Sequence, residues 1–160
     1  MNKYTFGDFS SGKKIKSLIK KFDEFNCDET NISNALNLCS ESWHLTDFIF
    51  EEYNSELGFR TLGDFRESLY PECFNLKIMH DLGNASKHFN LTSPKSKIKI
   101  TQKHNGAFSA AFSKGFNTSH LEIIMEDNSK LDFYFVMENV INFWKKYFKE
   151  TLKIDLVKIE

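Results

Sequence analysis

The sequence has few cysteines and no long apolar run. Its three cysteines are odd in number among 160 residues, and no Cys-x-x-Cys or Cys/His metal spacing is present. This usage is typical of a reduced, cytoplasmic protein. No stretch of about 18 apolar residues occurs, and the polar N-terminus has no apolar signal core. We therefore predict a cytoplasmic protein with neither a membrane-spanning helix nor a membrane partner.

A charge excess of one sign is also missing. The 21 basic and 22 acidic residues give a net charge of -1. No global field draws the chain towards nucleic acid, so any such contact must be local. No glycine-rich phosphate loop, HExxH, GxSxG or Rossmann fingerprint is present. The commonest nucleotide-binding and hydrolase classes are therefore excluded, and we predict no cofactor.

What the chain does have is apolar bulk. With 17 phenylalanines and an apolar fraction of 41%, it holds enough large side chains for a real core. Its length fits one domain, which we predict over residues 1–160. The helical half of that domain covers 10–92, and the β-rich half, with a closing helix, covers 95–160.

Apolar residues recur at helical spacing through the first half and predict four helices. Ser10 is expected to cap the first helix, and Thr61 with Asp64 forms a capping pattern for the third. The second and fourth helices are predicted over 28–53 and 71–90. The core stripes are Ile15, Leu18, Phe22 and Phe25 on the first helix, Ile32, Leu36, Cys39, Trp43 and Phe50 on the second, and Ile78, Leu82, Ala85 and Phe89 on the fourth.

The second half changes to a period of two. The pair Asn105-Gly106 predicts a hairpin, whose strands carry Ile98 and Ile100 on one side and Phe108, Ala110 and Phe112 on the other. A second hairpin is expected to turn near 127–129, a closing helix to cover 136–150, and the tail to form a short strand. We predict an α+β fold with an N-terminal bundle of about four helices, an antiparallel meander of about four strands and a C-terminal helix.

Polar residues line one edge of the core stripe on the second and fourth predicted helices. At about 100° per residue, each set falls within a narrow arc beside the apolar face. The sets are His44, Asp47 and Glu51 on the second helix and Asp81, Asn84 and His88 on the fourth. If the two helices are neighbours, both sets meet in one groove, which we call the polar strip. The same helical phase places His80 and Lys87 on the solvent side.

The polar strip has more than one interpretation. Polar groups beside a core must be paired, hydrated or used, so the strip is either a structural network between helices or a site. Two histidines and several carboxylates on facing helices also resemble ligands for Zn²⁺, Mn²⁺ or Fe²⁺. The spacing matches no standard metal site, so we expect no bound metal. The lysines between 13 and 21 are interpreted as the solvated face of the first helix.

Two segments resemble those of a group of small, uncharacterised bacterial proteins. That group pairs a WHL-x-D segment with a D-L-x-N-x-x-KHF segment. In this sequence the two are WHLTD at 43–47 and DLGNASKHF at 81–89. A β-rich half and a helix containing Phe-Trp follow in the group, as Phe143-Trp144 does here. The resemblance covers the second, fourth and closing helices.

The chain also resembles, more distantly, the HEPN superfamily of helical-bundle proteins, many of them RNases of toxin and defence systems. The family motif is an arginine, usually followed by a polar residue, with a histidine about four to six residues further on. Here His80-Asp81 stands at the place of the first two residues, and His88 follows. The resemblance implies a metal-independent RNase that acts as a homodimer.

The same resemblance implies a role for each residue. His88 is the general base or acid on a ribose 2′-hydroxyl, and Asp81 orients it. Asn84 holds the phosphate, together with Lys87 or Arg66. The expected partner is then RNA.

His44 and Asp47 complete the candidate catalytic set, because they form the facing part of the polar strip. A competing interpretation is a non-enzymatic binding or regulatory module, such as one member of a toxin–antitoxin or phage-defence pair. Its polar strip is structural and its expected partner is a protein. Near-zero net charge and the histidine in place of the family's arginine favour this second interpretation.

Overall fold

Five α-helices and a three-stranded antiparallel sheet make up the described part of the chain in a computed structural model. The structure describes residues 10–87, 91, 93–108 and 116–159. The helices are α1 (Ser11–Phe25), α2 (Ile32–Leu57), α3 (Leu62–Leu69), α4 (Asn75–Ala85) and α5 (Phe133–Glu150), and the strands are β1 (Ile98–His104), β2 (His120–Met125) and β3 (Lys130–Asp132). The predicted α+β class is confirmed.

Side-chain caps set where α2 and α3 begin, whereas Ser10 lies at the N-cap of α1 but makes no capping hydrogen bond through its side chain. The predicted stripe of α1 is buried throughout. α2 begins later than predicted, because the side chain of Asn31, rather than that of Asp28, accepts the backbone N–H of Asn34 at 3.0 Å. Asp28 accepts from Thr30 instead. The capping pattern predicted for the third helix is present at the start of α3.

α4 is shorter than predicted within the described residues. It begins at Asn75, because Pro71 lies in the turn that follows α3. The predicted end, 88–90, lies outside the described residues. α2 and α4 pack side by side, and a Cβ at Gly83 would lie 3.1 Å from the Cα of Ser40. The glycine therefore allows the two helix backbones to approach closely.

The predicted antiparallel meander is confirmed with three strands among the described residues, in the order β1-β2-β3. β1 pairs with β2 in antiparallel register, from Ile98 opposite Met125 to His104 opposite His120. A Cβ at Gly106 would lie 2.3 Å from the carbonyl oxygen of Asn117. Gly106 is thus needed for a close approach of two backbones, and the strand that faces β1 is β2. The predicted facing positions Ala110 and Phe112 lie outside the described residues.

The second hairpin is confirmed, but the closing helix begins earlier than predicted. β2 and β3 pair around a turn in which Asn128 has a left-handed φ of 64°. Asp132 then caps α5, because its side chain accepts the backbone N–H of Tyr134 at 2.9 Å. The chain therefore enters a helix at Phe133. The tail forms a 3-10 turn, Leu156–Lys158, in place of the predicted strand.

α5 forms the centre of the core. It contacts α1, α2 and α4 among the helices and β2 and β3 of the sheet. Its buried residues include Met137, Val140, Trp144 and Phe148, and Ile123 is buried on the facing strand β2. None of the described helices combines the length and apolarity needed to cross a bilayer.

Candidate active site

One buried tryptophan brings three helices together. The ring of Trp43, on α2, stacks on Tyr70 with 6.2 Å between centroids. The guanidinium of Arg66, from α3, lies 4.3 Å from the Trp43 ring centroid. The ring of His80, on α4, meets the same tryptophan edge-on at 4.7 Å. Burial and then the charge of Glu67 raise the pKa of Tyr70 to about 12, so the phenol stays protonated at neutral pH.

Asp81 is the most heavily bonded side chain beside this cluster. It is only 2% exposed, and its carboxylate accepts the backbone N–H groups of Lys95 at 2.9 Å and Ser96 at 2.6 Å. The Ser96 hydroxyl donates to it at 2.5 Å. His80 Nδ1 lies 2.7 Å from Asp81 Oδ1. The carboxylate therefore ties α4 to the segment that leads into β1.

These bonds fix the ionisation of Asp81 and the tautomer of His80. Burial alone raises the pKa of a carboxyl, but the bonds from Ser96 and Lys95, with that from His80, outweigh it and hold the Asp81 pKa below its usual value. An ionised carboxylate only accepts hydrogen bonds, so His80 Nδ1 is the donor. The lone pair of His80 is then on Nε2.

His80 Nε2 is free to act as a base. Among the described residues it makes no hydrogen bond, and the His80 side chain is 17% exposed. A histidine whose Nδ1–H is held by a fixed carboxylate presents Nε2 as a base in a set orientation. Arg66 approaches the same tryptophan, so a base and a cation converge on Trp43.

A second carboxylate, Asp47, holds that cation. Arg66 donates to Asp47 Oδ1 at 2.7 Å and, through Nε, to the Thr46 hydroxyl at 2.9 Å. Burial lowers the pKa of Arg66 below its usual value, and the charge of Asp47 offsets only part of this shift. Arginine remains a cation in proteins despite such shifts. Its guanidinium is thus fixed in place over Trp43.

His44 has both of its ring nitrogens occupied. Nδ1 lies 2.9 Å from Asp47 Oδ2, and Nε2 lies 2.8 Å from the ammonium of Lys87. An ammonium only donates, so His44 Nε2 is an acceptor and Nδ1 donates to Asp47. The two histidines of the cluster therefore share a tautomer but differ in whether Nε2 is free.

The predicted polar strip is partly assembled. His44 and Asp47 contact each other as expected, and Lys87 and Arg66 reach them. Asp81 bonds His80 and the segment before β1, and no hydrogen bond in the described residues joins it to His44 or Asp47.

One of the predicted orientations is wrong. His80 was predicted to face solvent, yet it packs between Trp43 and Asp81. Lys87 is exposed as predicted, but its ammonium turns towards His44. Asn84 is half-buried, and its side chain makes no hydrogen bond within the described residues.

His88, the predicted general base, lies outside the described residues, so its position relative to the site stays a prediction. The histidine, cysteine and acidic residues that the structure describes include no group of three placed to hold a metal ion. Of the residues that the sequence reasoning missed, Ser96 and Tyr70 matter most. No sequence pattern marks either residue. Ser96, for example, contacts Asp81 across 15 positions of the chain.

The lysines of α1 are largely engaged in contacts with the fold. The ammonium of Lys14 lies over the Phe48 ring, Lys16 donates to the Ile159 carbonyl, and Lys21 pairs with Glu41. These contacts agree with the solvated face predicted for this helix.

No family model, curated protein or solved structure matches the chain.

Proposed function

We propose that this protein is a metal-independent, HEPN-like ribonuclease in which His80 is the general base. The observation that carries the proposal is the His80 to Asp81 contact of 2.7 Å, in which Asp81 is itself fixed by Lys95 and Ser96. Asp81 keeps the role expected from the sequence, which is to orient a catalytic histidine. The histidine itself changes from His88 to His80.

The chemistry needs only groups of this kind. His80 Nε2 takes the proton of a ribose 2′-hydroxyl, and the resulting oxygen attacks the adjacent phosphorus. The bond from phosphorus to the 5′-oxygen breaks, and that oxygen leaves with a proton from solvent. The products are a 2′,3′-cyclic phosphate and a 5′-hydroxyl. Arg66 lies on the same tryptophan and supplies positive charge for the phosphate oxygens.

A biological setting forms part of the proposal. Because His80-Asp81 and His88 stand at the places of the HEPN motif, we infer a homodimer that acts in a toxin or phage-defence system. Light scattering of the purified protein tests the dimer independently of cleavage. A monomer at all concentrations would contradict that part alone.

The test is cleavage of a single-stranded RNA in excess EDTA, with the 2′,3′-cyclic phosphate as the product measured. His80→Ala is expected to lower the rate by about 10²-fold or more. His44→Ala is the matched control, since His44 Nε2 is already occupied by Lys87, and it should leave the rate within a few fold. His88→Ala separates the two candidate bases.

The outcomes differ clearly. A large loss in His88→Ala with none in His80→Ala assigns the base to His88 and overturns the role of His80. Absence of cleavage by the wild-type protein, tested over a panel of RNA sequences, overturns the ribonuclease proposal.

A second candidate function is a non-enzymatic binding or regulatory module. It is favoured by the way the same carboxylates join separate elements, Asp81 linking α4 to Ser96 and Asp47 linking α2 to Arg66 of α3. In that case His80→Ala lowers the free energy of unfolding by about 1–3 kcal/mol, because a buried acceptor loses a donor. No RNA is cleaved, and the partner is a protein.

A further inference from the structure

A basic groove lies at the C-terminal end of α5, and it shares no residue with the cluster around Trp43. It has a volume of about 500 Å³, within the usual range of ligand clefts. We call it the lysine groove. Its lining consists of Lys145, Lys149, Lys153, Ile154, Asp155, Leu156 and Val157.

The three lysines form a ladder of unpaired charge. Residues four apart on a helix lie on one face and about 6 Å apart along the axis, which applies to Lys145 and Lys149. No ion pair or hydrogen bond in the described residues involves the ammonium groups of these two or of Lys153. The neighbouring Lys146 and Lys158, by contrast, pair with acidic side chains. The groove thus collects three like charges, none of which forms an ion pair within the described residues.

Lys153 occupies a backbone position that suits glycine better. Its φ is 58°, a left-handed conformation that costs a non-glycine residue about 1 kcal/mol or more. The position follows α5, and the backbone N–H of the next residue, Ile154, donates to the carbonyl of Phe148 in α5 at 2.9 Å. A lysine at this glycine-like position adds charge to the groove at a cost in backbone strain.

An apolar edge completes the groove. Val157 is 90% exposed, and the side chains of Ile154 and Leu156 are half-buried beside it. Among the described residues that line the groove, none is aromatic and one, Asp155, is acidic. Proteins that hold single-stranded nucleic acid use aromatic rings as stacking platforms, so this lining suits a different partner.

We propose that the lysine groove binds an acidic segment of a partner protein through its carboxylates and one apolar anchor. The carboxylates pair with Lys145, Lys149 and Lys153, and the anchor covers Val157. The positive charge of the groove favours an acidic partner. The exposed apolar edge favours a protein segment over a phosphate backbone, because a protein segment can supply an apolar side chain. The proposal is independent of the ribonuclease proposal, because the groove shares no residue with the Trp43 cluster.

The test is selection from a displayed library of random short peptides on the full-length protein. The recovered sequences are expected to be rich in Asp and Glu around one apolar residue. A labelled peptide of the recovered consensus should bind about 10- to 100-fold more weakly to the triple variant Lys145→Gln, Lys149→Gln, Lys153→Gln. Val157→Ser should weaken binding by a few fold through loss of apolar contact.

Matched variants control for net charge and for general surface effects. A triple variant with the same charge change elsewhere, Lys13→Gln, Lys20→Gln and Lys99→Gln, should bind the peptide as the wild type does. Ile100→Ser, which alters an exposed apolar residue of β1, is the control for Val157→Ser.

Several results would overturn the proposal. One is recovered peptides with no acidic excess, and another is equal loss of binding in the two triple variants. A third is a single-stranded RNA or an anionic vesicle that competes fully with the peptide and binds more tightly, which would assign the groove to phosphate groups. RNA cleavage by the groove variants is measured in parallel, and its persistence keeps the two proposals distinguishable.

Discussion

Two aspartates of this protein lie close to the same tryptophan through different partners, and they differ in almost every other respect. Asp47 reaches Trp43 through Arg66 and is 35% exposed, and its partners are all side chains. Asp81 reaches it through His80, is almost fully buried, and accepts two backbone N–H groups as well as a hydroxyl. Asp81 therefore fixes the backbone of the segment before β1, whereas Asp47 positions only the side chains of Arg66 and His44.

The largest effect is therefore expected at Asp81. Asp81→Ala leaves the backbone donor of Lys95 and the buried donors of Ser96 without an acceptor, and we expect a loss of about 3–5 kcal/mol in the free energy of unfolding. Asp47→Ala should cost about 1 kcal/mol or less, since exposed ion pairs contribute little. Urea denaturation of both variants measures the difference. Equal losses would show that burial does not separate the two carboxylates.

The second prediction concerns pH. Because the folded-state pKa of Asp81 is lowered, its contribution to stability is fully present above the unfolded pKa of about 3.9. That contribution is lost as the pH falls from there through the folded pKa. The stability advantage of the wild type over Asp81→Asn should thus be constant above about pH 5 and shrink below about pH 4. An advantage that instead grows as the pH falls below neutrality would mean that burial outweighs the hydrogen bonds and raises the folded-state pKa.

The orientation of His80 shows where sequence reasoning reached its limit. The prediction for α4 takes Ile78 as part of a single buried face and counts the direction of every other side chain from it. Leu76, Met79 and Gly83 are also buried, and they point in other directions around the helix axis. α4 is packed on several sides, so a single apolar stripe cannot assign its solvent face. By contrast, the stripe of α1, which has one buried face, was predicted in full.

Long-range pairing was equally inaccessible. The Asn105-Gly106 signal is local and says nothing of the pairing of β1 with β2, which joins Gln102 to Glu122 some 20 positions away along the chain. The same holds for Ser96 and Asp81, whose contact no spacing in the sequence encodes. The cap of Thr61 with Asp64 was predicted correctly, since its contacts form within one turn, whereas the cap predicted at Ser10 makes no side-chain hydrogen bond.

The third prediction measures the coupling on the exposed side of the comparison. A double-mutant cycle of Asp47→Ala and Arg66→Ala should give a coupling energy of about 0.5–1 kcal/mol. Because the pair is partly exposed, this energy should fall as salt is raised. A parallel cycle of Arg66→Ala with Trp43→Phe includes stacking and should depend less on salt. The opposite order of salt dependence would contradict the interpretation of the Asp47–Arg66 contact as a partly exposed ion pair.

The smallest effect is expected at His44, where it bears most directly on function. Its Nδ1–H donates to Asp47 and its Nε2 accepts from Lys87, both at a partly exposed position, so His44→Ala should change the free energy of unfolding by about 0.5 kcal/mol or less. Nitrogen NMR at a pH where the imidazole rings are neutral should report the Nδ1–H tautomer for both His44 and His80. In Lys87→Ala the His44 Nε2 signal should move towards that of a free lone pair, and His80 should not respond. If His80 instead carried its proton on Nε2, it could not accept a proton there, and the general-base role would have to pass to another histidine.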